Sequence, residues 1–270
     1  MGISTALYNG LSGLTSYGTA LSVTSDNVAN ANTTGFKSNS VRFGDMVNSY
    51  YATLANDTER EGAGVAIQSF ASDFGQGNIM GTNSWTDLAV GGEGYFELVD
   101  GNNISHFTRD GSFHIEMSGV NDGILTSQQG YAVLDPTGNP VTIAGYDTYS
   151  KFRVGEDGQV YGVETLTGTE VPIAGAQVGL TVFTNQSGLI REGGNIFSAG
   201  PDTGTATKRA ADGSNAELFG EMMDESLEGS NVDLAKEMVD MIVYQAGFNA
   251  NSKTITTNSG LLDVTINMVR

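Results

Sequence analysis

Both ends of the chain repeat an apolar residue every seven positions, and that pattern commits them to helices that must lie against something. Near the N-terminus the repeat is Leu7, Leu14, Leu21 and Val28, with Ile3, Leu11 and Tyr17 on nearly the same face. Such spacing predicts a helix with one narrow apolar seam. Residues 1–36 contain a single charged side chain, Asp26, and Gly10, Gly13 and Gly18 interrupt the helical pattern. Each glycine costs roughly 1 kcal/mol relative to alanine within a helix, so this helix is marginal by itself. The run Asn27-Val28-Ala29-Asn30-Ala31-Asn32-Thr33-Thr34-Gly35-Phe36 ends it, because Asn and Gly supply capping and left-handed conformations. The other end mirrors this with Leu234, Met238, Met241, Phe248, Ile255, Leu262, Ile266 and Val269. Gln245, Ser252 and Ser259 stand at the intervening seam positions. Ser230 followed by Asp233 resembles a capping box, and Asp233 and Glu237 suit the positive end of that helix as Arg270 suits its negative end.

Between the helices the pattern changes to strands and turns. Asp110-Gly111, followed by the alternation Phe113, Ile115, Met117, and Asp157-Gly158, between Val154 and Val160, both predict hairpins. Asp135-Pro136-Thr137-Gly138-Asn139-Pro140 is a further turn cluster, and Leu180-Thr181-Val182-Phe183 a strand. The expected fold is mainly β with α-helical termini. The two terminal helices pair as a coiled-coil-like inner domain, and a β-rich, barrel- or sandwich-like domain is inserted between them. The expected boundaries are a helix over 1–36, an extended connection over 37–64, the β-rich domain over 65–225 and the second helix over 226–270. Two terminal seams can satisfy one another within one chain or pack against other copies. The pattern alone supports both. Polar dilution favours assembly, since an isolated pair of such helices buries too little apolar surface to offset its ordering entropy.

Charge narrows the choice of partner. Asp and Glu outnumber Lys and Arg 31 to 12, a formal net charge of -19, and an acidic surface repels nucleic acid and anionic membranes. No segment is apolar for long enough to span a bilayer, so membrane insertion is not expected, and the opening residues Met1-Gly2-Ile3-Ser4-Thr5 do not read as a cleaved secretion signal. With no cysteine, disulfides and thiolate metal sites are excluded.

Residues able to carry chemistry are sparse. His106 and His114 flank Asp110-Gly111 and could approach one another on paired strands near Glu116; solvated hairpin histidines explain them more simply. Gly91-Gly92-Glu93-Gly94 lacks the spacing and following helix that a dinucleotide needs. Trp85 reads as packing in the β domain or an interface anchor, and Met222, Met223, Met238 and Met241 as core packing. No catalytic motif, cofactor or metal is expected, and the chain reads as a non-enzyme.

Several motifs, in order along nearly the whole chain, resemble those of the bacterial flagellar hook and rod protein family. The stretch from Asn27 to Lys37, containing Asn30, Asn32, Thr34, Gly35 and Phe36, is similar to the family's N-terminal signature. Ser230-Asn231-Val232-Asp233-Leu234-Ala235 with Ala250-Asn251-Ser252-Lys253-Thr254-Ile255 is similar to its C-terminal one. Thr86-Asp87-Leu88-Ala89-Val90, Gly94-Tyr95-Phe96, Thr108-Arg109-Asp110-Gly111-Ser112-Phe113 and Gly179–Phe183 with Gly188-Leu189 resemble the central motifs. At Gln245-Ala246-Gly247 the chain departs from the family, which often has a basic residue followed by a bulky one.

The resemblance implies a structural subunit of a helical homopolymer, with an inner tube of paired terminal helices and a β-rich outer layer. It implies export through the flagellar type III apparatus without a cleaved signal, and contact with neighbouring rod, hook-cap and hook–filament junction proteins. Leu7, Leu14, Leu21, Val28, Leu234, Met238, Met241, Phe248, Ile255, Leu262 and Ile266 are the expected assembly interface. Asn231–Ala235, Asn251–Thr257 and Phe74-Gly75-Gln76-Gly77 are closer to the hook protein, which ranks first, with the distal rod protein second. A length of 270 residues leaves little room for the additional outer domain of many hook proteins. The competing reading from another class is a secreted β-rich adhesin, which would not need its terminal helices.

Overall fold

The computed structural model describes residues 3–47, 62–118, 121–211 and 214–269. The part of the expected 37–64 connection between 48 and 61, the terminal Arg270, and the side chains of Ile3 and Val269 lie outside the described residues. The chain divides into a helical unit of residues 1–31, 38–73 and 232–270, and a β-rich unit of residues 32–37 and 74–231.

In the helical unit, α1 (Ile3–Ala29) and α2 (Leu234–Val269) run antiparallel. The direction follows from successive meetings: Gly10 faces Ile255, Gly13 faces Asn251, and the Tyr17 ring lies over Gly247 and beside Tyr244. Small residues make this approach possible. The buried positions of α1 are Gly10, Gly13, Ser16, Ala20, Thr24 and Asn27, whereas Leu7, Leu14, Leu21 and Val28 are only half-buried. The glycines that weaken α1 as an isolated helix are therefore its contact surface. A Cβ placed on Gly247 would lie 2.7 Å from the Tyr17 ring, so the departure from the family pattern at this position has a steric partner in Tyr17.

The stretch expected as an extended connection holds one strand and the start of a second, which runs on into the span expected as the β-rich domain. β1 (Asn39–Val47) and β2 (Gly62–Ser72) pair antiparallel, and this ribbon belongs to the helical unit. It is anchored on α1: Asn27 donates to the Asn39 carbonyl at 2.7 Å and accepts from its N–H at 2.9 Å, while Ser16 donates to the Val65 carbonyl. Polar side chains on α1, read from sequence as dilution of the seam, satisfy the backbone of this ribbon. Helix α2 is capped by Asp233, whose carboxylate accepts from the N–H groups of Ala235 and Lys236, which moves the start expected near Ser230 down to Leu234.

The β-rich unit is built on strand Tyr95–Val99, which pairs with Ser105–Thr108 on one edge and with Ala132–Val133 and Leu180–Phe183 on the other. Alternation along it serves two cores: Phe96 and Leu98 enter one with Leu88, Phe113, Leu125 and Ile143, and Tyr95 enters the second with Phe107, Phe183 and Phe197. Around this strand the described residues form a branched ten-stranded sheet that does not close, so the barrel alternative is not realised. The Asp157-Gly158 hairpin is present between Tyr149–Val154 and Gln159–Glu164, with Gly158 at φ 82°. The Asp110-Gly111 hairpin is not. Strand Ser105–Thr108 pairs with Tyr95–Val99 and Ile196–Ala199, and His114–Met117 pairs with Gly123–Thr126 instead.

Two glycine substitutions in α2 separate contact from propensity. Gly247→Ala forces a methyl into the Tyr17 ring and is expected to cost about 1–3 kcal/mol. Gly260→Ala meets nothing within 4 Å and is expected to gain up to about 1 kcal/mol. Thermal melts followed by the helical circular dichroism signal check the opposite signs.

Candidate assembly surface

Helix α2 presents apolar residues on both sides. Its inward stripe is Met241, Tyr244, Gly247, Phe248, Asn251, Ile255 and Leu262, all half-buried against the rest of the helical unit. Of the residues expected as the assembly interface, Met241, Phe248, Ile255 and Leu262 lie on this half-buried stripe. Leu234, Met238 and Ile266, expected on the same seam, face outward, with Ile266 62 % exposed. They join Val239, Ile242, Val243, Leu261, Val264 and Met268 on the solvent side, where Ile242 is 65 % exposed. On α1, Tyr8 and Leu11 are exposed as well. A helix apolar on opposite faces is a helix built for burial. Among the described residues only one of those faces is covered, and exposed apolar stripes of this extent mark association surfaces.

Beside the inner face, Glu237, Asp240 and Tyr244 of α2 line a cavity of about 100 Å³ with Thr24 of α1 and Asn39 and Val41 of β1. Burial pushes the Glu237 carboxyl above the ordinary glutamate range; Asp240 adds to the rise, and hydrogen bonding with Asn27 opposes it. Burial likewise raises the Tyr244 phenol.

The N-terminal family motif is split, with Asn27 and Asn30 in the helical unit and Asn32, Thr34, Gly35 and Phe36 in the β-rich unit. Phe36 is fully buried, with the Arg191 guanidinium 4.5 Å over its ring. Gly35 adopts φ 66°, and a Cβ there would run into the backbone of Arg109 and Asp110, so only glycine fits. Thr34 donates to Asp110 at 3.0 Å, and its carbonyl accepts from Asn195 at 2.6 Å. Asn32 is exposed, and Asn30 bonds back to Asp26 within the helical unit. Asn231 donates to the Gly75 carbonyl at 3.1 Å, while Ser230 and Val232 are half-buried.

These segments gather around an ion cluster that sequence patterning did not single out. Glu228 is fully buried and accepts from Lys37 Nζ at 2.7 Å and from Arg109 at 3.3 Å. Arg109 also donates to the Gly92 carbonyl at 2.8 Å and lies 5.0 Å over the Tyr95 ring, whose phenol is pushed up by burial against the pull of that guanidinium. Lys37 and Arg109 stood inside recognised motifs; Glu228 stood in none. The available signal was physical: cations set among Phe36, Phe107 and Phe113 require a counter-ion.

The remaining candidates do not converge. The His106 Nδ1 lies 3.0 Å from the Glu192 carboxylate, and His114 Nε2 lies 3.1 Å from the Thr126 hydroxyl. Trp85 stacks on Phe152 at the margin of the larger core. Among the described residues no three His, Asp or Glu side chains are arranged to hold a metal ion.

Comparison with known proteins bears on all of these features. Residues 7–37 match a family model described as flagella basal body rod protein, 89–162 one described as flagellar hook protein FlgE/F/G D1 domain, and 223–268 one described as flagellar basal body rod FlgEFG protein C-terminal. The flagellar basal-body rod protein FlgG of Bacillus subtilis is 34% identical over 273 residues, covering 98% of this chain and 99% of that one. The chain belongs to the flagellar rod and hook protein family. FlgG of Borreliella burgdorferi is 31% identical, covering 98% of each chain. The flagellar hook protein FlgE of Helicobacter mustelae is 29% identical over 82% of this chain but only 52% of its own length. The protein is thus a structural component of the bacterial flagellum and not an enzyme, from a family whose members assemble with themselves and with other flagellar components. The rod model's span, 7–37, reaches from α1 through Thr34 to the buried Gly35 and Phe36, so it covers this packed segment as well as the helix.

Glu237 supplies a pH test of the helix pair. A carboxyl whose folded-state pKa is raised favours folding only when protonated; that contribution is present below the ordinary carboxylate pKa and is lost as pH rises through the folded value. Glu237→Gln is therefore expected to raise the melting temperature of the helical unit at pH 7 and to have little effect near pH 4. Parallel melts at the two pH values check this.

Proposed function

We propose that this chain is a subunit of the distal rod of the flagellum, a helical homopolymer in which the helical unit builds the inner layer and the β-rich unit the outer one. One observation carries the choice of rod over hook: the match to FlgG runs end to end on both chains, whereas the hook relative has about half its length outside the match. The hook reading ranked first on residues 231–235, 251–257 and 74–77. Several acidic side chains of the β-rich unit hold their own turns. Asp100 accepts from Asn102 and Ile104, Asp135 from Thr137 and Asn139, and Asp157 from Gln159, each holding its own turn. These bonds hold the turns and leave the carboxylates charged and solvent-accessible.

The proposed subunit contacts use the uncovered face of α2, centred on Val239, Ile242 and Val243, with Leu234, Met238 and Ile266 beside them. Full burial of a single Val or Ile side chain contributes about 1.5–3 kcal/mol, so a face of several such residues is ample for a contact repeated in every subunit. A head-to-tail contact that does not close on itself generates a helical tube.

Ile242→Asp is expected to leave the melting of the isolated subunit within about 0.5 kcal/mol of wild type, as a surface change, and to abolish tube formation in polymerising conditions seen by electron microscopy. Basal bodies isolated from a strain lacking the gene are expected to carry rods truncated within the envelope. Complete rods lacking only the curved external segment would return the assignment to the hook.

A further inference from the structure

Three separate stretches of chain converge on one carboxylate. The polypeptide visits the β-rich unit twice, as residues 32–37, soon after α1, and as residues 74–231, which end just before α2. At the Glu228 side chain the first visit, the start of the second and its end all meet. Its Oε1 accepts from Lys37 Nζ at 2.7 Å and from the Gly77 N–H at 2.8 Å, and its Oε2 from Arg109 at 3.3 Å. Lys37 Nζ donates a further bond to the Gly75 carbonyl at 2.8 Å, and the Asn231 amide donates to that same carbonyl at 3.1 Å. The backbone adds its own links: Gly35 N–H donates to the Glu228 carbonyl at 2.8 Å, and Asn231 N–H to the Phe36 carbonyl at 3.3 Å.

We propose that this cluster is a mechanical clasp. Tension applied between α1 and α2 of one chain passes from residues 34–37 directly to residues 228–231, and the sheets formed by the chain between them are shielded from it. The geometry favours this because the bonds join the two ends of the unit side by side, and several must break together before either end moves. The bonds from Lys37 and Arg109 to the Glu228 carboxylate are charge-assisted and buried, so no solvent molecule is at hand to replace one as it opens. The charges also set an order among the parts. Glu228 is one anion serving two buried cations; removing it leaves Lys37 and Arg109 facing each other uncompensated, whereas removing Lys37 leaves a matched Arg109–Glu228 pair.

Forced unfolding reads the barrier of the element in the load path rather than overall stability, and this separates the proposal from a merely structural role. The chain has no cysteine of its own, so Ala29→Cys and Ala235→Cys give unique handles for single-molecule pulling of the full-length protein. After the helix pair peels, a single event releasing on the order of 60 nm of chain between the two clasped segments is expected. Glu228→Gln is expected to lower the force of that event at least two-fold, and Lys37→Met to lower it by less. Leu98→Ala, which opens the larger sheet core, is expected to lower the melting temperature yet leave the force at the wild-type value. An unchanged force in Glu228→Gln overturns the clasp. So does a Leu98→Ala force reduced as far as that of a clasp variant of equal thermal stability. If Glu228→Gln does not fold, Lys37→Met decides: a reduced force supports the proposal, and a wild-type force overturns it.

Discussion

Burying a carboxylate beneath a sheet costs several kcal/mol unless charge and hydrogen bonds compensate it, and the β-rich unit is arranged around that requirement at Glu228. Lys37 comes from the segment following α1 and reaches it because Phe36 is seated in the core and Gly35 takes a left-handed turn that lets its backbone lie against Arg109 and Asp110. Arg109 is held at the same point by the Gly92 carbonyl and the Tyr95 ring. Tyr95 in turn is fixed in the second core by Phe107, Phe183 and Phe197. Residues that recur as family signatures are thus the means by which one charge is kept out of water, and the recognisable motif is the visible edge of an electrostatic constraint.

The helical unit solves a different problem. Close approach of α1 and α2 needs small side chains, and Gly10, Gly13 and Gly247 supply them at the expense of helix propensity. The loss is recovered by packing: the Tyr17 ring covers Gly247 and stands with Phe43 and Tyr244 in one aromatic group that joins both helices to the ribbon of β1 and β2. Because α1 offers α2 a narrow strip of small residues, it cannot also cover the outward side of α2, where Val239, Ile242 and Val243 remain in water. Intramolecular pairing and an uncovered apolar face are therefore the same fact. Part of the apolar character of α2 is used inside the chain and part stays exposed.

Where the sequence was legible, the signal was periodic and local. Seven-residue spacing found both helices; the run Leu180–Phe183 is a strand with those bounds, and Asp157-Gly158 does turn a hairpin. Periodicity misled where the partner was not another large apolar residue. On α1 the leucine seam is half-buried, because the contact is made by glycine, serine and alanine, which a hydrophobic pattern does not register. The ribbon of β1 and β2 escaped because its exposed Phe43, Met46 and Phe70 break the alternation expected of a half-buried strand. Asp110-Gly111 carries the chemistry of a two-residue hairpin, yet the Asp110 carboxylate serves Thr34 and Ser112, a long-range demand that no window of neighbouring residues contains. The acidic turn residues illustrate the same point: Asp100, Asp135 and Asp157 accept hydrogen bonds within their own turns, which composition does not register.

The bond between Lys37 and Glu228 spans 191 positions of sequence. A contact that distant orders the folding of the chain in time. Closing so long a loop carries an entropic cost that grows with its length, and topologies dominated by such contacts fold slowly. Until Glu228 docks, its carboxylate is not there to compensate Lys37 and Arg109, and the β-rich unit lacks this long-range link. Glu228 stands shortly before α2, so the closure of this unit and the start of the second helix fall within a few positions of each other.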